Sequence, residues 1–216
     1  MKTYLCLAAA AVLAIATCAL ATPTPPMWGT WASQFELKEF NPQANNWMTT
    51  TGSYYYSPLA SLVAYANASA EAFCGSTGIG AGTPCYQLAN SDARFLYFPE
   101  AGDSDSGECC KCCTVEQGCG PLKPSWMADA SFEGTVTAQG VTADKWLIAG
   151  NEDNYYYDIS DSHIPLLLNN SGFQIFGFVP SSYTTLVPMS IFTVPDICQG
   201  SIDQCEGVCG RFGASN

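Results

Sequence analysis

Ten cysteines behind a predicted secretory leader constrain this chain more than any other feature of its sequence. Lys2 precedes an apolar run from Leu5 to Ile15, and Ala19-Leu20-Ala21 then offers the small-x-small pattern after which signal peptidase cuts. Because the run is shorter than the roughly 20 apolar residues of a membrane-spanning helix, we expect cleavage after Ala21. The prediction is a signal peptide at residues 1–21 and a single secreted β domain at 22–216, with a cysteine-rich C-terminal tail and no membrane span.

Thiols oxidise in the secretory pathway, and an even number of cysteines there predicts a disulfide framework. Of the twelve cysteines in the sequence, Cys6 and Cys18 lie in the leader, which leaves ten for up to five disulfides. Each bridge would stabilise the fold by roughly 2–4 kcal/mol. We predict first a bridge from Cys74 to Cys85 across the glycine-rich segment 75–82, and the remaining connectivity stays open. The predicted disulfide cysteines are Cys74, Cys85, Cys109, Cys110, Cys112, Cys113, Cys119, Cys198, Cys205 and Cys209.

The densest group of cysteines permits two further interpretations. The segment from Cys109 to Cys113 contains two interleaved C-x-x-C spacings. Two thiolates at that spacing can reach one tetrahedral zinc ion, and the same spacing occurs in thiol–disulfide redox pairs. Because the leader places the chain in an oxidising compartment, disulfides are favoured and no metal is predicted. Zinc and redox chemistry stay open as alternatives.

The charge balance argues against two classes of partner. The formal net charge is −12, with 19 acidic residues against 7 lysines and arginines. Nucleic-acid binding needs a concentrated basic face, and anionic membrane surfaces attract basic segments, so we expect neither partner. The predicted location is outside the cell or in the lumen of the secretory pathway.

Short alternating segments separated by turn residues predict the fold class. Phe35 to Lys38 and Ser131 to Thr137 alternate, which puts one face of a strand on a core and the other in water. Leu62 to Ala70 fits a helix or a strand, and its alternation of small apolar and polar residues favours the strand. We predict an all-β fold, an antiparallel two-sheet sandwich or curled half-barrel reinforced by disulfides. Further predicted strands are Ala93–Phe98, Lys145–Ala149, Asn154–Ile159, Phe173–Val179 and Ser190–Val194.

Few residues are suited to catalysis. His163 is the single histidine, and no G-x-S-x-G motif is present. We therefore predict no enzyme, no catalytic residue and no cofactor. The acidic segments Asp103–Glu108 and Glu152–Asp161 have two interpretations, a solvated loop and an extracellular calcium site. The first segment departs from EF-hand spacing because its glycine comes one place early.

Two sequons predict sites of N-glycosylation in a host that glycosylates. Asn67-Ala68-Ser69 and Asn169-Asn170-Ser171 each supply the acceptor pattern. The predicted glycosylation sites are accordingly Asn67 and Asn169.

Aromatic residues are abundant on the predicted strands, and they have two interpretations. A packed core with cross-strand aromatic pairs explains them, and so does a concave apolar pocket for a lipid-like ligand. Both need the same residue types on the same strand faces, and the residues alone favour the filled core. The candidate pocket residues, whose predicted role is to form an apolar wall, are Trp126, Trp146, Tyr156, Phe176 and Phe178.

Several short motifs resemble ependymin-related secreted proteins. They are Gly118–Met127, Ala130–Gly134, Ala143–Trp146, Asn154–Asp158 and Arg94–Phe98. The resemblance implies a curled antiparallel fold similar to LolA-like lipoprotein carriers, with a hydrophobic pocket between two sheets and an association with lipid-like ligands and calcium. The cluster Cys109–Cys113 and the tail Cys198–Cys209 depart from the family pattern.

The sequence and this resemblance together predict a secreted protein that binds a hydrophobic, lipid-like small molecule in a pocket between β-sheets. A structural protein of the cell surface or extracellular matrix, without a ligand, is one alternative. A metal-binding protein that uses the Cys109–Cys113 cluster is another. The three differ in what the purified protein would show: a bound molecule, self-association without a ligand, or free thiols with zinc.

Overall fold

A single antiparallel sheet dominates the computed structural model, which describes residues 23–42, 44–102 and 106–213. The predicted signal peptide at 1–21 and the acidic residues Asp103 and Asp105 lie outside the described residues. The strands are β1 (Trp31–Asn41), β2 (Asn46–Ser57), β3 (Ala60–Tyr65), β4 (Cys85–Ala89), β5 (Ala93–Phe98), β6 (Glu108–Thr114), β7 (Ser131–Ala138), β8 (Val141–Ile148), β9 (Asn154–Ile159), β10 (Pro165–Asn170) and β11 (Gln174–Phe178).

The sheet is built from two meanders that meet at its centre. Strands β1 to β6 run outward to one edge, and β7 to β11 run back from the opposite edge. The meanders join where β11 pairs with β1, in a register that places Phe35 opposite Phe178 and Leu37 opposite Phe176. In the order β6-β5-β4-β3-β2-β1-β11-β10-β9-β8-β7 the two edge strands do not pair, so the sheet is not closed into a barrel. The predicted all-β antiparallel class is confirmed, and these strands lie in one sheet.

The sheet is strongly curled, as the packing around Trp28 demonstrates. Tyr56 on β2 and Tyr156 on β9 are four ladder steps apart, which is about 19 Å along a flat sheet at ~4.8 Å per step. The rings of both residues nevertheless lie against Trp28, with centroid distances of 5.1 and 5.7 Å. A flat sheet could not bring them so close together, so the structure takes the curled form of the prediction.

The concave face of the sheet holds the main core. Along β1, Phe35 and Leu37 are buried while Gln34, Glu36 and Lys38 are exposed, which is the predicted alternation. Burying one such apolar side chain stabilises the fold by about 1.5–3 kcal/mol, so the aromatic filling of this face contributes much of the stability. The largest fully buried side chains are Trp31, Trp146, Tyr56, Tyr156, Phe35, Phe98 and Phe178.

The C-terminal segment returns across the convex face of the sheet. Phe192 of this segment packs on Ala60, Leu62 and Leu88 in a second, smaller core. Leu62 and Leu88 point away from the main core because they alternate with its members on the same strands. The segment contains short 3-10 helices at Pro180–Ser182, Met189–Phe192 and Asp196–Cys198 and ends in α2 (Gly210–Gly213).

The predicted strand at Ser190–Val194 is wrong. The structure has a 3-10 helix over Met189–Phe192 instead. Pro188 and Pro195 flank the segment, and a proline has no N–H group to donate to a neighbouring strand. The apolar residues of this segment pack on the sheet without joining its ladder.

Among the described residues, five disulfides connect ten cysteines, and three of them fasten the C-terminal tail to edge strand β6. Along the same edge the Lys111 N–H donates to the Asp203 carbonyl and the Cys205 N–H donates to the Lys111 carbonyl, both at 2.9 Å. The tail thereby covers backbone groups that an open edge would expose, and the predicted disulfide reinforcement is confirmed. The pairs are Cys74–Cys85, Cys109–Cys198, Cys110–Cys205, Cys112–Cys209 and Cys113–Cys119.

The connection between β3 and β4 is helical where a strand was expected. The predicted strand at Leu62–Ala70 continues only to Tyr65, after which the chain forms a 3-10 helix at Ala68–Ala70 and helix α1 at Ala72–Ser76. Within the described ranges, no helix has the length and apolar character needed to cross a membrane.

The buried carboxylate of Glu71 caps the N-terminus of helix α1. The Glu71 side chain is 3% exposed. It accepts hydrogen bonds from the Cys74 N–H at 2.9 Å and from the Gln87 side-chain amide at 2.6 Å. Burial is the main cause that raises the pKa of Glu71 to about 7, and the charge of Glu39 adds to the effect.

Because the pKa of Glu71 is raised, the free energy of unfolding should fall as the pH rises. A group whose pKa is higher in the folded than in the unfolded chain contributes stability at low pH and loses it as pH rises through the folded value. For Glu71 the window runs from 4.5 to about 7. We expect Glu71→Gln, which keeps an acceptor for the Cys74 N–H, to raise the free energy of unfolding at about pH 8 by up to ~3 kcal/mol.

At about pH 4 the same variant should match the wild type, because both side chains are then neutral. Urea unfolding at the two pH values measures the difference, and Glu133→Gln at an exposed position is the matched control. An identical pH dependence in wild type and Glu71→Gln would contradict the prediction.

Candidate functional site

An apolar groove lies on the convex face of the sheet, and we call it the outer groove. Its volume is about 290 Å³. Strands β2 to β5 form its floor, and the C-terminal segment forms a wall. The lining residues are Tyr55, Leu62, Ala64, Tyr86, Leu88, Phe95, Tyr97, Ile191, Thr193, Pro195 and Cys198.

The two-residue period of the strands determines which side chains reach the outer groove. In the run Tyr54-Tyr55-Tyr56 the first and third side chains are 9% and 0% exposed in the main core, so the middle one points to the opposite face. Tyr86 on β4 pairs with Tyr97 on β5, and their rings meet edge to face with centroids 5.9 Å apart. Tyrosine rings from three strands thus border one groove.

Residues 187–198, which we call the strap, form the groove's covering wall. Phe192 is buried against the sheet at one point of the strap. Cys198, at its end, is joined by a disulfide to Cys109 on β6. Between these two attachments Thr193 and Pro195 face the groove. Val187, Ile191 and Val194 also pack against this smaller core. The strap is therefore held to the sheet by several apolar contacts and by one covalent bond at its end.

The chemistry of the outer groove is that of a binding surface. None of its lining residues carries a charged side chain. The tyrosine side chains and Thr193 supply hydroxyl groups among carbon-rich walls. This combination of apolar area with a few polar groups is typical of sites that hold small molecules without reacting with them.

The predicted pocket residues lie elsewhere, on the concave face. Trp146, Tyr156 and Phe178 are at most 1% exposed, Phe176 is 6% exposed and Trp126 is half-buried. Trp126 and Tyr156 contact each other with centroids 5.7 Å apart, and Phe176 stacks on Phe178 at 6.2 Å. None of the five lines the outer groove. They form packed walls of the main core, and a ligand role for them stays a prediction.

Trp28 is the centre of this aromatic cluster, and no sequence pattern predicted its role. Five rings surround it at centroid distances of 5.0 to 6.4 Å. The Trp28 indole N–H donates to the Tyr156 hydroxyl at 3.3 Å, and its backbone N–H donates to the Pro124 carbonyl. Because Trp28 precedes β1 in a segment without a strand pattern, periodicity could not identify it as a core residue. The surrounding residues are Trp31, Tyr54, Tyr56, Trp126 and Tyr156.

Two indole groups in this cluster have no hydrogen-bond partner within the described part of the chain. They are the Nε1–H groups of Trp31 and Trp126, and both atoms are buried. A buried donor without a partner costs about 1–3 kcal/mol of folding free energy. A hydrogen-bond acceptor placed beside either indole N–H group would remove that cost. Both rings lie against Trp28, at 5.1 and 5.0 Å.

The cysteine cluster does not present thiolates for zinc. The sulfur atoms of Cys112, Cys113 and Cys119 lie within 4.8 Å of one another. All three belong to disulfides, however, as does every other cysteine beyond the leader. Zinc is bound by the thiolate form, so the disulfide interpretation of this cluster agrees with the structure.

His163 is tied to a buried carboxylate. Its Nδ1 lies 2.5 Å from Asp158 Oδ2, and Asp158 Oδ1 accepts the Trp146 indole N–H at 2.6 Å. Burial raises the pKa of Asp158, while hydrogen bonds from His163 and Trp146 act in the opposite direction. Asp158 belongs to the acidic segment Glu152–Asp161 in the sequence, but its side chain is buried in the core. The expectation that the protein is not an enzyme stays a prediction.

Both predicted glycosylation sites carry half-buried asparagines. The Asn67 side-chain oxygen accepts from the Ser69 N–H at 2.9 Å, and that of Asn169 accepts from the Gly172 N–H at 2.8 Å. These bonds order the turns that contain the sequons. Glycosylation at either position stays a prediction.

Comparison with known proteins yields distant structural similarities alone. No protein-family model and no curated protein matches the chain. The chain is similar to an uncharacterised conserved protein from Thermus thermophilus, with a TM-score of 0.48 and 11% identity over 79% of this chain and 88% of that one. A Pseudomonas aeruginosa MucA/MucB complex gives 0.40 and 11% over 79% and 57%. A DUF1329 family protein from Desulfovibrio piger gives 0.36 and 8% over 76% and 89%.

Similarities at this level identify neither a family nor a function. The resemblance to ependymin-related proteins accordingly stays a prediction. The function is therefore inferred from the groove, the strap and the aromatic cluster of this chain.

Proposed function

We propose that this is a secreted binding protein that holds a hydrophobic small molecule in the outer groove. The observation that carries the proposal is the apolar groove of about 290 Å³ between the convex face and the strap. Ligand pockets in proteins are lined mainly by hydrophobic and aromatic side chains with few polar groups. The volume suits a small molecule better than a protein segment.

The groove's own residues would supply both affinity and orientation. Apolar contact with Leu62, Leu88 and Phe95 removes ligand surface from water, which contributes about 25 cal/mol per Å². Tyrosine hydroxyls can orient a polar end of the ligand. Because the Cys109–Cys198 disulfide fixes the end of the strap to strand β6, binding requires little further ordering of this wall.

Charge narrows the ligand class further. The protein has a net charge of −12, which repels an anionic ligand at long range. The groove has no charged lining residue to compensate for this repulsion. A neutral hydrophobic molecule is thus the proposed ligand.

Filling the groove should abolish binding of a neutral hydrophobic probe. Ala64 lines the groove and is half-buried. A phenyl ring at this position would occupy much of the groove, so Ala64→Phe should weaken binding of N-phenyl-1-naphthylamine about tenfold or more. Probe fluorescence measures the affinity.

The matched control is Ala138→Phe, at a half-buried alanine on edge strand β7 outside the groove. It should bind the probe as the wild type does. Equal probe affinity in wild type and Ala64→Phe would contradict the proposal. Absence of probe binding together with self-association of the wild type would favour the structural alternative.

A second candidate site is the aromatic cluster around Trp28. The observation that favours it is the pair of buried indole N–H groups, on Trp31 and Trp126, without partners. A planar ligand that replaced the Trp28 ring could place an acceptor near these donors. The predicted apolar walls Trp126 and Tyr156 would then contact the ligand.

Two probes of similar shape distinguish this site from a packed core. Quinoline carries a ring-nitrogen acceptor, and naphthalene does not. If the indole donors serve a ligand, a Trp28→Ala variant should bind quinoline about tenfold more tightly than naphthalene, since one hydrogen bond contributes roughly 0.5–1.5 kcal/mol. Both affinities are measured by calorimetry in a protein that also carries Ala64→Phe, so that the outer groove is filled and cannot bind the probes. Equal affinities of Trp28→Ala for the two probes would contradict this site. So would an unchanged preference for quinoline when one of the donors is also removed, in Trp28→Ala/Trp126→Phe.

A further inference from the structure

One of the five disulfides differs from the others in its exposure. Nine of the ten disulfide cysteines are buried, with none more than 4% exposed. Cys109 is the exception, because it is partly exposed at the edge strand. A dissolved thiol must reach a sulfur atom to attack it, so the Cys109–Cys198 bond is the one that it can reach first.

The position of this disulfide links it to the outer groove. Cys109 lies opposite Tyr97 in the ladder between β5 and β6, and Tyr97 lines the groove. Cys198 lines the groove itself and ends the strap. Breaking this bond removes the covalent attachment of the strap's end, and the apolar contacts of Phe192 and its neighbours Ile191 and Val194 remain.

The rest of the tail does not depend on this bond. Two further disulfides, Cys110–Cys205 and Cys112–Cys209, join the tail to β6. The Gln204 side-chain amide also donates to the Cys112 carbonyl. Loss of the Cys109–Cys198 bond should therefore free the strap while the edge of the sheet stays covered.

We propose that the Cys109–Cys198 disulfide is a thiol-sensitive clamp on the outer groove. The inference rests on the proposed function and adds a mode of regulation to the same site. The reductant belongs to the class of small dissolved thiols, such as glutathione. An oxidising medium keeps the wall closed, and a reducing medium opens it.

The exchange proceeds in two balanced steps. The thiolate of the reductant attacks Cys109 Sγ, a mixed disulfide forms at Cys109, and Cys198 leaves as a thiolate that takes up a proton. A second thiolate attacks the reductant's sulfur in the mixed disulfide and releases the Cys109 thiolate, which is protonated in turn. Two electrons reduce one protein disulfide to two thiols, and two reductant molecules become one disulfide.

The test uses the intact secreted chain in glutathione buffers of increasing reducing strength. Newly formed thiols are trapped by alkylation, and peptide mass spectrometry locates them. We expect alkylation of Cys109 and Cys198 before that of any other cysteine. Earlier or simultaneous alkylation of another pair would overturn the proposal.

Hydrogen exchange gives a second measurement that needs no ligand. The Cys198 N–H donates to the Pro195 carbonyl at 2.8 Å and the Ile191 N–H to the Pro188 carbonyl at 3.1 Å. Reduction of the clamp should accelerate exchange of the Cys198 amide more than that of the Ile191 amide, which lies beside the remaining Phe192 contact. The Lys111 and Cys205 amides on the β6 edge should stay protected. Unchanged exchange in the strap would contradict an opening of the wall.

Probe binding then connects the clamp to the groove. Reduction should weaken binding of N-phenyl-1-naphthylamine about tenfold, because a loosened wall must be ordered again on binding. The double variant Cys109→Ser/Cys198→Ser should bind weakly in either medium. In Cys74→Ser/Cys85→Ser, the control pair far from the strap in sequence, binding should keep its redox response.

The two proposals can fail separately. If the wild type binds no probe while Cys109 and Cys198 are still reduced first and the strap opens, the proposed ligand is wrong and the clamp stands. If the probe binds in the groove and reduction changes neither the strap nor the affinity, the clamp is wrong and the binding function stands.

Discussion

The pairing of β1 with β11 is the interaction on which the rest of the structure depends. It is the ladder that joins the two meanders, and it connects segments about 140 residues apart, as in the pair Phe35 and Phe178. Aromatic packing supports it on the concave face, where Phe35 meets Phe176 at 5.1 Å and Trp31 meets Phe178 at 5.5 Å. Closing so long a loop costs conformational entropy, and the burial of these rings offsets that cost.

This central pairing also explains why the two faces of the sheet differ. Because β1 lies in the middle, the curl brings β2 and β9 toward the segment that precedes β1, and Trp28 fills the space between them. The concave face is therefore a filled core. The convex face has no neighbouring sheet to cover it, and the C-terminal segment covers it only in part. A groove remains where the strap bridges outward-facing rings such as Tyr86 and Tyr97.

Much of the sheet was predictable from local patterns, whereas the site was not. The predicted segments Ala93–Phe98 and Asn154–Ile159 match β5 and β9 residue for residue, because alternation and turn residues define strands locally. Strands β2, β4, β6 and β10 were not predicted, and runs such as Leu166-Leu167-Leu168 lack alternation. The curl was among the forms predicted, but neither periodicity nor composition could choose it. It depends on Trp28, which belongs to no strand.

The location of the groove was beyond prediction for a different physical reason. Alternation assigns Tyr54 and Tyr55 to opposite faces but does not state which face has the space. Which face has the space depends on what covers each face. The convex face is covered by the strap, which lies about 100 residues after β5 in the chain. The segment's position follows from the partner of Cys198, and connectivity cannot be deduced from cysteine spacing.

The attachment of the strap makes the shape of the outer groove depend on a disulfide. Burial of Phe192 stabilises the docked strap by about 1.5–3 kcal/mol, and a disulfide typically contributes roughly 2–4 kcal/mol. The apolar contacts and the disulfide therefore both contribute to holding the strap. The apolar contacts lie between Val187 and Val194, so they leave Cys198 at the far wall to be fixed by its disulfide. The shape of that wall depends on the bond to Cys109, and hence on the redox state of the medium in which the protein works.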